Sequence, residues 1–172
     1  LPQNQLEILP RTFEHAVADA DLYDERLSFD LQPVIAVVTN LDADHLSTYG
    51  GDVGRLRQSF VEFLHNLPFY GLVVMCVDDP GVLAVIDRVS RPVLTYGFSD
   101  GADLRIRDYR QESGRSFFRI ERADDHPDLE LELNLPGRHN ALNATAALAI
   151  DAELDVDDSA VAAALRAFGG ID

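Results

Sequence analysis

Pro33-Val-Ile-Ala-Val-Val-Thr-Asn40 is a short apolar, β-branched run that closes on polar residues. Such a run predicts a strand covered on both faces, as in the centre of a parallel sheet. Gly71 to Val77 repeats the pattern, and Pro92 to Phe98 predicts a third strand. Between the first two, Leu56, Phe60, Phe63 and Leu64 recur at helical spacing. A helix is expected there from a cap at Asp52 to about Asn66, stopped by Leu67-Pro68. Asp78-Asp79-Pro80 opens a second, short helix with Val82, Val85, Ile86 and Val89 inward. Alternation of strand and helix predicts right-handed crossovers onto a mostly parallel sheet.

The pattern then changes period. Leu104 and Ile106 alternate with polar residues, with Asp108-Tyr109 as a continuation, and Ser116 to Glu121 predicts another strand. Leu129-Glu-Leu-Glu-Leu-Asn-Leu135 alternates strictly, so one face is buried and the other wet. Gly114 and Asp124-Asp125-His126-Pro127 mark turns. After Pro136-Gly137, an Ala-rich helix runs from Arg138 to Ile150, and a last helix from Asp157 to Phe168 ends at Gly169-Gly170. Val17 reads as a strand end, and residues 1 to 15 stay unassigned. The expected fold is α/β: a mostly parallel central sheet flanked by helices, with a small antiparallel β-meander.

Composition narrows the function classes. The 172 residues hold 14 Lys+Arg, every one of them arginine, against 30 Asp+Glu, for a formal net charge of -16. A chain without lysine has no Schiff-base lysine, no lysine base and no complete GxxxxGK[ST] phosphate loop. The acid excess and the dispersed arginines argue against nucleic acid and against an anionic membrane. No apolar stretch approaches the length of a membrane span. The one cysteine, Cys76, lies in an apolar run and reads as a buried, inert thiol. A reducing cytoplasm is the expected setting. His65 stands where a helix ends and suits a cap, and Phe60, Phe63, Phe69 and Tyr70 read as core and loop packing.

Three clusters hold candidate chemistry. Asp42, Asp44 and His45 follow the first central strand, at the carboxyl end where open parallel sheets bind ligands. Two carboxylates and an imidazole suit a divalent cation or proton transfer, and equally a solvated turn. Asn140 and Asn143 share one helix face near its start. Their carboxamides can both donate and accept towards a purine edge, or simply cap the helix. Asp19, Asp21, Asp24 and Glu25 crowd together, which calls for a neutralising cation or a fully solvated turn.

Taken in order, several motifs resemble the ATP-binding central domain of the Mur ligases. They are Thr39-Asn40-Leu-Asp-Ala-Asp-His45, Thr48-Tyr-Gly-Gly-Asp52, Phe60 to Gly71, Val77-Asp-Asp-Pro80, Thr95-Tyr-Gly-Phe-Ser99 and Pro136-Gly-Arg-His-Asn-Ala-Leu-Asn-Ala144. Within the family they look most like the branch that joins L-alanine to UDP-N-acetylmuramate in peptidoglycan synthesis. The resemblance implies ATP and Mg2+ as cofactors. It puts His45 and Asp19 on metal-binding positions, and His45 and Asn40 at the reaction centre with Thr39. It puts His139, Asn140 and Asn143 at the adenine. The family's Gly-Thr-x-Gly-Lys-Thr loop has no counterpart, and Asp19 is one methylene shorter than the family's glutamate. The resemblance therefore implies a partial central domain over 16–172, missing the N- and C-terminal ligase domains and inactive alone. A non-catalytic, degenerate nucleotide- or partner-binding module is the rival reading. A sibling ligase that adds a later peptide residue is disfavoured by Thr48-Tyr-Gly-Gly51.

Overall fold

The computed structural model describes residues 16–17 as backbone, and residues 33–41, 53–123 and 126–170 in full. Asp19, Asp42, Asp44, His45 and the expected cap Asp52 lie outside the described residues.

Seven strands form one sheet in chain order: β1 (Ala16–Val17), β2 (Ile35–Val38), β3 (Leu72–Cys76), β4 (Val93–Gly97), β5 (Leu104–Glu112), β6 (Arg115–Arg122) and β7 (Leu129–Leu133). Strands β1 to β5 run parallel, and β5 to β7 are antiparallel. The meander is thus not an appendage. Tyr96 and Gly97 pair with Leu104 and Arg105 and carry the sheet straight into it. Helix α1 (Val53–His65) follows β2, and α2 (Pro80–Leu83) with a 3-10 turn at Ile86–Arg88 follows β3. Helices α3 (Arg138–Glu153) and α4 (Asp158–Ala167) end the described chain.

The continuous apolar runs are explained by two cores, one on each side of the sheet. Side chains alternate across a strand. Ala36, Val38, Val73 and Met75 pack with Phe60, Phe63 and Leu64 of α1, and with Val82 and Val85. Ile35, Val37, Val74, Cys76 and Tyr96 pack on the other side with Ala141, Ala144 and Leu148 of α3. Leu131 and Leu133 of the alternating Leu129–Leu133 segment join this second core, as their spacing requires.

Strand β5 runs further than alternation alone indicates. Its pairing with β6 shifts between Arg107 and Arg110, where Asp108 takes a φ of 53°. An extra residue there switches the side-chain faces, so a period of two fails beyond it. Ser113 and Gly114, with φ of 52° and 80°, close the hairpin in the left-handed conformation that two-residue hairpin turns favour. The arginines of this ribbon cluster more than their sequence spacing shows. Arg107 pairs with Glu121, Arg110 with Glu112, Arg115 with Glu132, Arg119 with Asp108 and Asp128, and Arg122 with Asp158. The exposed ones among these contribute about 0–1 kcal/mol each, whereas the Arg122–Asp158 pair is partly buried. They neutralise the ribbon rather than hold it together.

Two sequence expectations are corrected here. Phe69 and Tyr70 are not packing residues: they are 85% and 62% exposed, in edge-to-face contact with each other at 5.3 Å. The turn at Pro68 carries them past the sheet's amino end, while Phe60 and Phe63 are buried as expected. His65 does not cap α1 with its ring. The ring accepts from Ser90 N at 3.3 Å and sits 3.1 Å from Ser90 Oγ. The capping group comes from a distant loop: Arg91 donates from Nε to Leu67 O at 2.8 Å and from Nη2 to His65 O at 2.5 Å. Removing it leaves helix-end carbonyls unpaired. Arg91→Ala should lower stability by about 1–2 kcal/mol. Urea unfolding would read this as a lower midpoint at unchanged slope.

Candidate nucleotide site at the carboxyl edge of the sheet

The parallel strands present their carboxyl ends to one edge, where short polar motifs replace the apolar runs. Thr39 is half-buried and Asn40 exposed at the end of β2. The next residue, Leu41, is buried, and its N–H donates to Asp79 Oδ1 at 3.1 Å. The same oxygen accepts from Val82 N at 2.8 Å, which makes Asp79 the N-cap of α2. A Cβ on Gly81 would stand 2.4 Å from Leu41 O, so only glycine lets the β2 end and α2 approach this closely.

Asp78 does the same work one strand over. Its carboxylate accepts from Phe98 N at 2.8 and 3.0 Å, from Ser99 N at 2.9 Å and from Ser99 Oγ at 2.6 Å. The Val77-Asp-Asp-Pro80 motif is therefore a brace. Its two carboxylates tie together the ends of β2, β3 and β4. In the sequence Asp78 stands at a helix start and within the Val77-Asp-Asp-Pro80 motif, and neither assigns it this role. Two adjacent acids after a strand, facing a loop whose N–H groups lack sheet partners, are the signal that points to this role.

Phe98, just past β4, meets the start of α3. The Arg138 guanidinium lies over its ring, 3.5 Å from the centroid. Tyr109 of β5 stands edge-on to Phe98 at 5.7 Å and is 5.8 Å from the same guanidinium. Gly137 is the N-cap of α3 and has a φ of 107°; it supplies no side-chain cap. A Cβ there would also come within 2.9 Å of the His139 imidazole. Asn140 is not a cap: it sits in the first turn, where its Nδ2 donates to Pro136 O at 2.6 Å. Its Oδ1 and second N–H remain available in principle. Asn143 is exposed one turn further on, and His139 is exposed beside Asn140.

The fold thus brings His139, Asn140 and Asn143 together on the start of α3. Asn40 stands on the same edge of the sheet, at the end of β2, with β3 between it and β4. The metal positions implied for Asp19 and His45 are outside the described residues. Among the described residues, no group of three His, Cys, Asp or Glu is placed to hold a metal ion. None of their helices is long and apolar enough to cross a membrane. Cys76 is buried, and burial pushes its thiol pKa up, which leaves it a poor nucleophile.

A mostly parallel sheet with helices on both faces, and polar residues gathered at its carboxyl edge, define an open α/β domain of the class that places ligands at that edge. Residues 3–150 match the Mur ligase middle domain, and the chain belongs to that family. That match reaches into the N-terminal segment that shows no periodicity of its own. Among solved structures, the UDP-N-acetylmuramate-alanine ligase MurC of Thermotoga maritima superposes with a TM-score of 0.72 at 28% identity, over 86% of this chain and 32% of its own. MurF of Acinetobacter baumannii gives a TM-score of 0.69 at 21% identity, over 84% of this chain and 31% of its own. MurF of Thermotoga maritima, solved in complex with ADP, gives 0.62 at 24% identity, over 76% of this chain and 30% of its own. The chain spans about a third of the length of these relatives.

Proposed function

We propose that this chain is part of the central, ATP-binding domain of a UDP-N-acetylmuramate–L-alanine ligase, and that the domain extends beyond the matched residues 3–150 to the described C-terminal helix α4. The observation that supports this branch over its siblings is the 28% identity to the alanine ligase MurC across 86% of the chain. Such an enzyme phosphorylates the muramate carboxylate with ATP. The L-alanine amine then attacks the acyl phosphate, and phosphate leaves.

The residues have distinct parts in this reading. Asn140 and Asn143, with His139 beside them, hold the adenine edge. Carboxamides suit it because adenine offers both a donor and acceptors. Asn40 and Thr39 line the reaction edge at the end of β2. Asp19 and His45 would hold Mg2+. One carboxylate and one imidazole leave most of its positions to water and phosphate oxygens, which is how magnesium is usually held in such sites. The ion supplies neutralisation of the phosphoryl charge. An enzyme acting on such nucleotide-linked substrates would work in the cytoplasm.

A phosphate-loop lysine is absent from this sequence. The chain by itself should therefore show no phosphate release that depends on both ATP and L-alanine. Robust turnover would overturn that expectation. The lysine-free composition also keeps the rival open, a non-catalytic nucleotide- or partner-binding module. Calorimetry with Mg-ATP separates the two. Asn140→Ala with Asn143→Ala should weaken Mg-ATP binding by about 10- to 100-fold, the range expected when purine-edge contacts are removed. An affinity that does not change, or is absent from the start, favours the rival.

A further inference from the structure

Helix α3 begins without the usual means of fixing its first turn. Gly137 offers no side-chain cap, and the first turn has no acidic residue. It carries a cation instead, since Arg138 opens the helix, where the macrodipole disfavours positive charge. A residue that breaks a local preference needs a compensating contact. Arg138 has one of a specific kind. Arg105, Arg107, Arg110, Arg115, Arg119, Arg122 and Arg166 each meet a carboxylate. Among the described residues Arg138 meets none, and its guanidinium is stacked on Phe98 at 3.5 Å. Phe98 is itself fixed, because Asp78 accepts from its backbone N–H.

We infer that Arg138 is a positioning residue: its stack on Phe98 sets the first turn of α3, and with it the carboxamides of Asn140 and Asn143. The path runs from the β3 end through Asp78 to Phe98, across the ring to Arg138, and two residues along the helix to Asn140. A planar guanidinium fits this task better than an ammonium, because it can lie flat over the ring at the 3.5 Å separation seen here. The inference rests on the nucleotide reading above and adds a residue that does not itself touch the base.

Two measurements on the full chain test it. Amide hydrogen exchange by NMR reports the first α3 bonds, beginning with the Ala141 N–H that donates to Gly137 O at 3.2 Å. Calorimetry compares Mg-ATP with Mg-GTP. Arg138→Ala and Arg138→Lys should both speed exchange at residues 141–143. Both should weaken Mg-ATP about fivefold, the scale of a lost cation–π contact, and narrow the preference for ATP over GTP. Phe98→Tyr keeps the ring and should behave as the parent. Unchanged exchange in Arg138→Ala overturns the positioning role. So does an unchanged ATP preference in Arg138→Ala when Asn140→Ala and Asn143→Ala lose it. A parent chain that binds neither nucleotide sinks the nucleotide reading, and exchange alone then decides whether Arg138 sets the turn.

Discussion

Asp78→Ala should lower the unfolding free energy by about 3 kcal/mol. The carboxylate receives the Phe98 and Ser99 N–H groups and the Ser99 hydroxyl, all within 3.0 Å. Hydrogen bonds to a charged group are worth about 1.5–3 kcal/mol each, and bonds sharing one acceptor do not sum. Their loss also leaves the part-buried Phe98 N–H without its partner at the edge of the α3-side core, while the exposed Ser99 N–H can turn to water. A protein of this size should lose about 6–12 °C in Tm as a result. Asp78→Asn separates charge from shape, because an amide keeps one acceptor oxygen and should recover part of the loss. The brace also holds the loop under Arg138, so exchange at the start of α3 should rise in the same variants. Urea unfolding of both variants, followed by circular dichroism, checks the magnitude. A loss below 1 kcal/mol for the alanine variant would show that water replaces the carboxylate.

This brace marks the boundary between what local pattern reveals and what it hides. The β2 and β3 runs are apolar on both faces, and each face found its own core, with Ile35 and Val37 on one side and Ala36 and Val38 on the other. The Leu-Glu alternation of β7 likewise fixed its buried face. These features depend on residues adjacent in sequence. Asp78, Phe98 and Arg138 do not: their contacts span 20 and 40 positions, and no periodicity links them. The β5 bulge at Asp108 hid a long strand behind a change of phase. Phe69 and Tyr70 misled because hydrophobicity near a strand suggests burial, whereas the turn geometry exposes them. For the site, the helix start at Gly137-Arg-His-Asn140 could be read directly from turn and helix signals. The chemistry of its carboxamides left a purine edge and a helix cap both open, and the proposed adenine role follows from the resemblance that favours the first.

The acid excess also takes a structural meaning. The β5–β6 ribbon absorbs much of the arginine in ion pairs, so the positive charge is spent on neighbouring carboxylates. Arg138 escapes this because its surroundings are aromatic. A nucleotide bound as proposed would therefore meet few cations at this edge among the described residues. That fits a site whose phosphate binding would depend on a metal ion.

Tyr96→Phe should stabilise the protein, although it removes a polar group. Tyr96 is fully buried between β3 and the α3 core, and among the described residues its hydroxyl has no hydrogen-bond partner beyond a weak contact with the Cys76 thiol. The Cys76 thiol, paired across the strands, is at best a weak acceptor. An unsatisfied buried hydroxyl costs about 1–3 kcal/mol, so deleting it while keeping the ring should gain about 1 kcal/mol. Tyr96→Ala should instead lose about 3–5 kcal/mol, because it leaves a cavity beside Cys76 and Leu104. The pH dependence gives a second signature. Burial, with Cys76 and Asp78 nearby, holds the Tyr96 pKa far above its ordinary value of 10.0. Above that pH the unfolded chain releases the proton while the folded chain keeps it. The unfolded state then binds fewer protons, and stability falls as pH rises, by up to about 1.4 kcal/mol per pH unit from this group. The contribution is therefore intact below pH 10 and erodes above it. Cys76, also raised by burial, adds a fall of the same sign from about its ordinary value of 9.0. Tyr96→Phe should remove the steeper part above pH 10 and leave the part that begins near pH 9. Urea unfolding of parent and variant at steps from pH 8 to 11 would show the two curves diverging. Parallel curves would mean that the Tyr96 phenol ionises as readily in the folded chain as in the unfolded one.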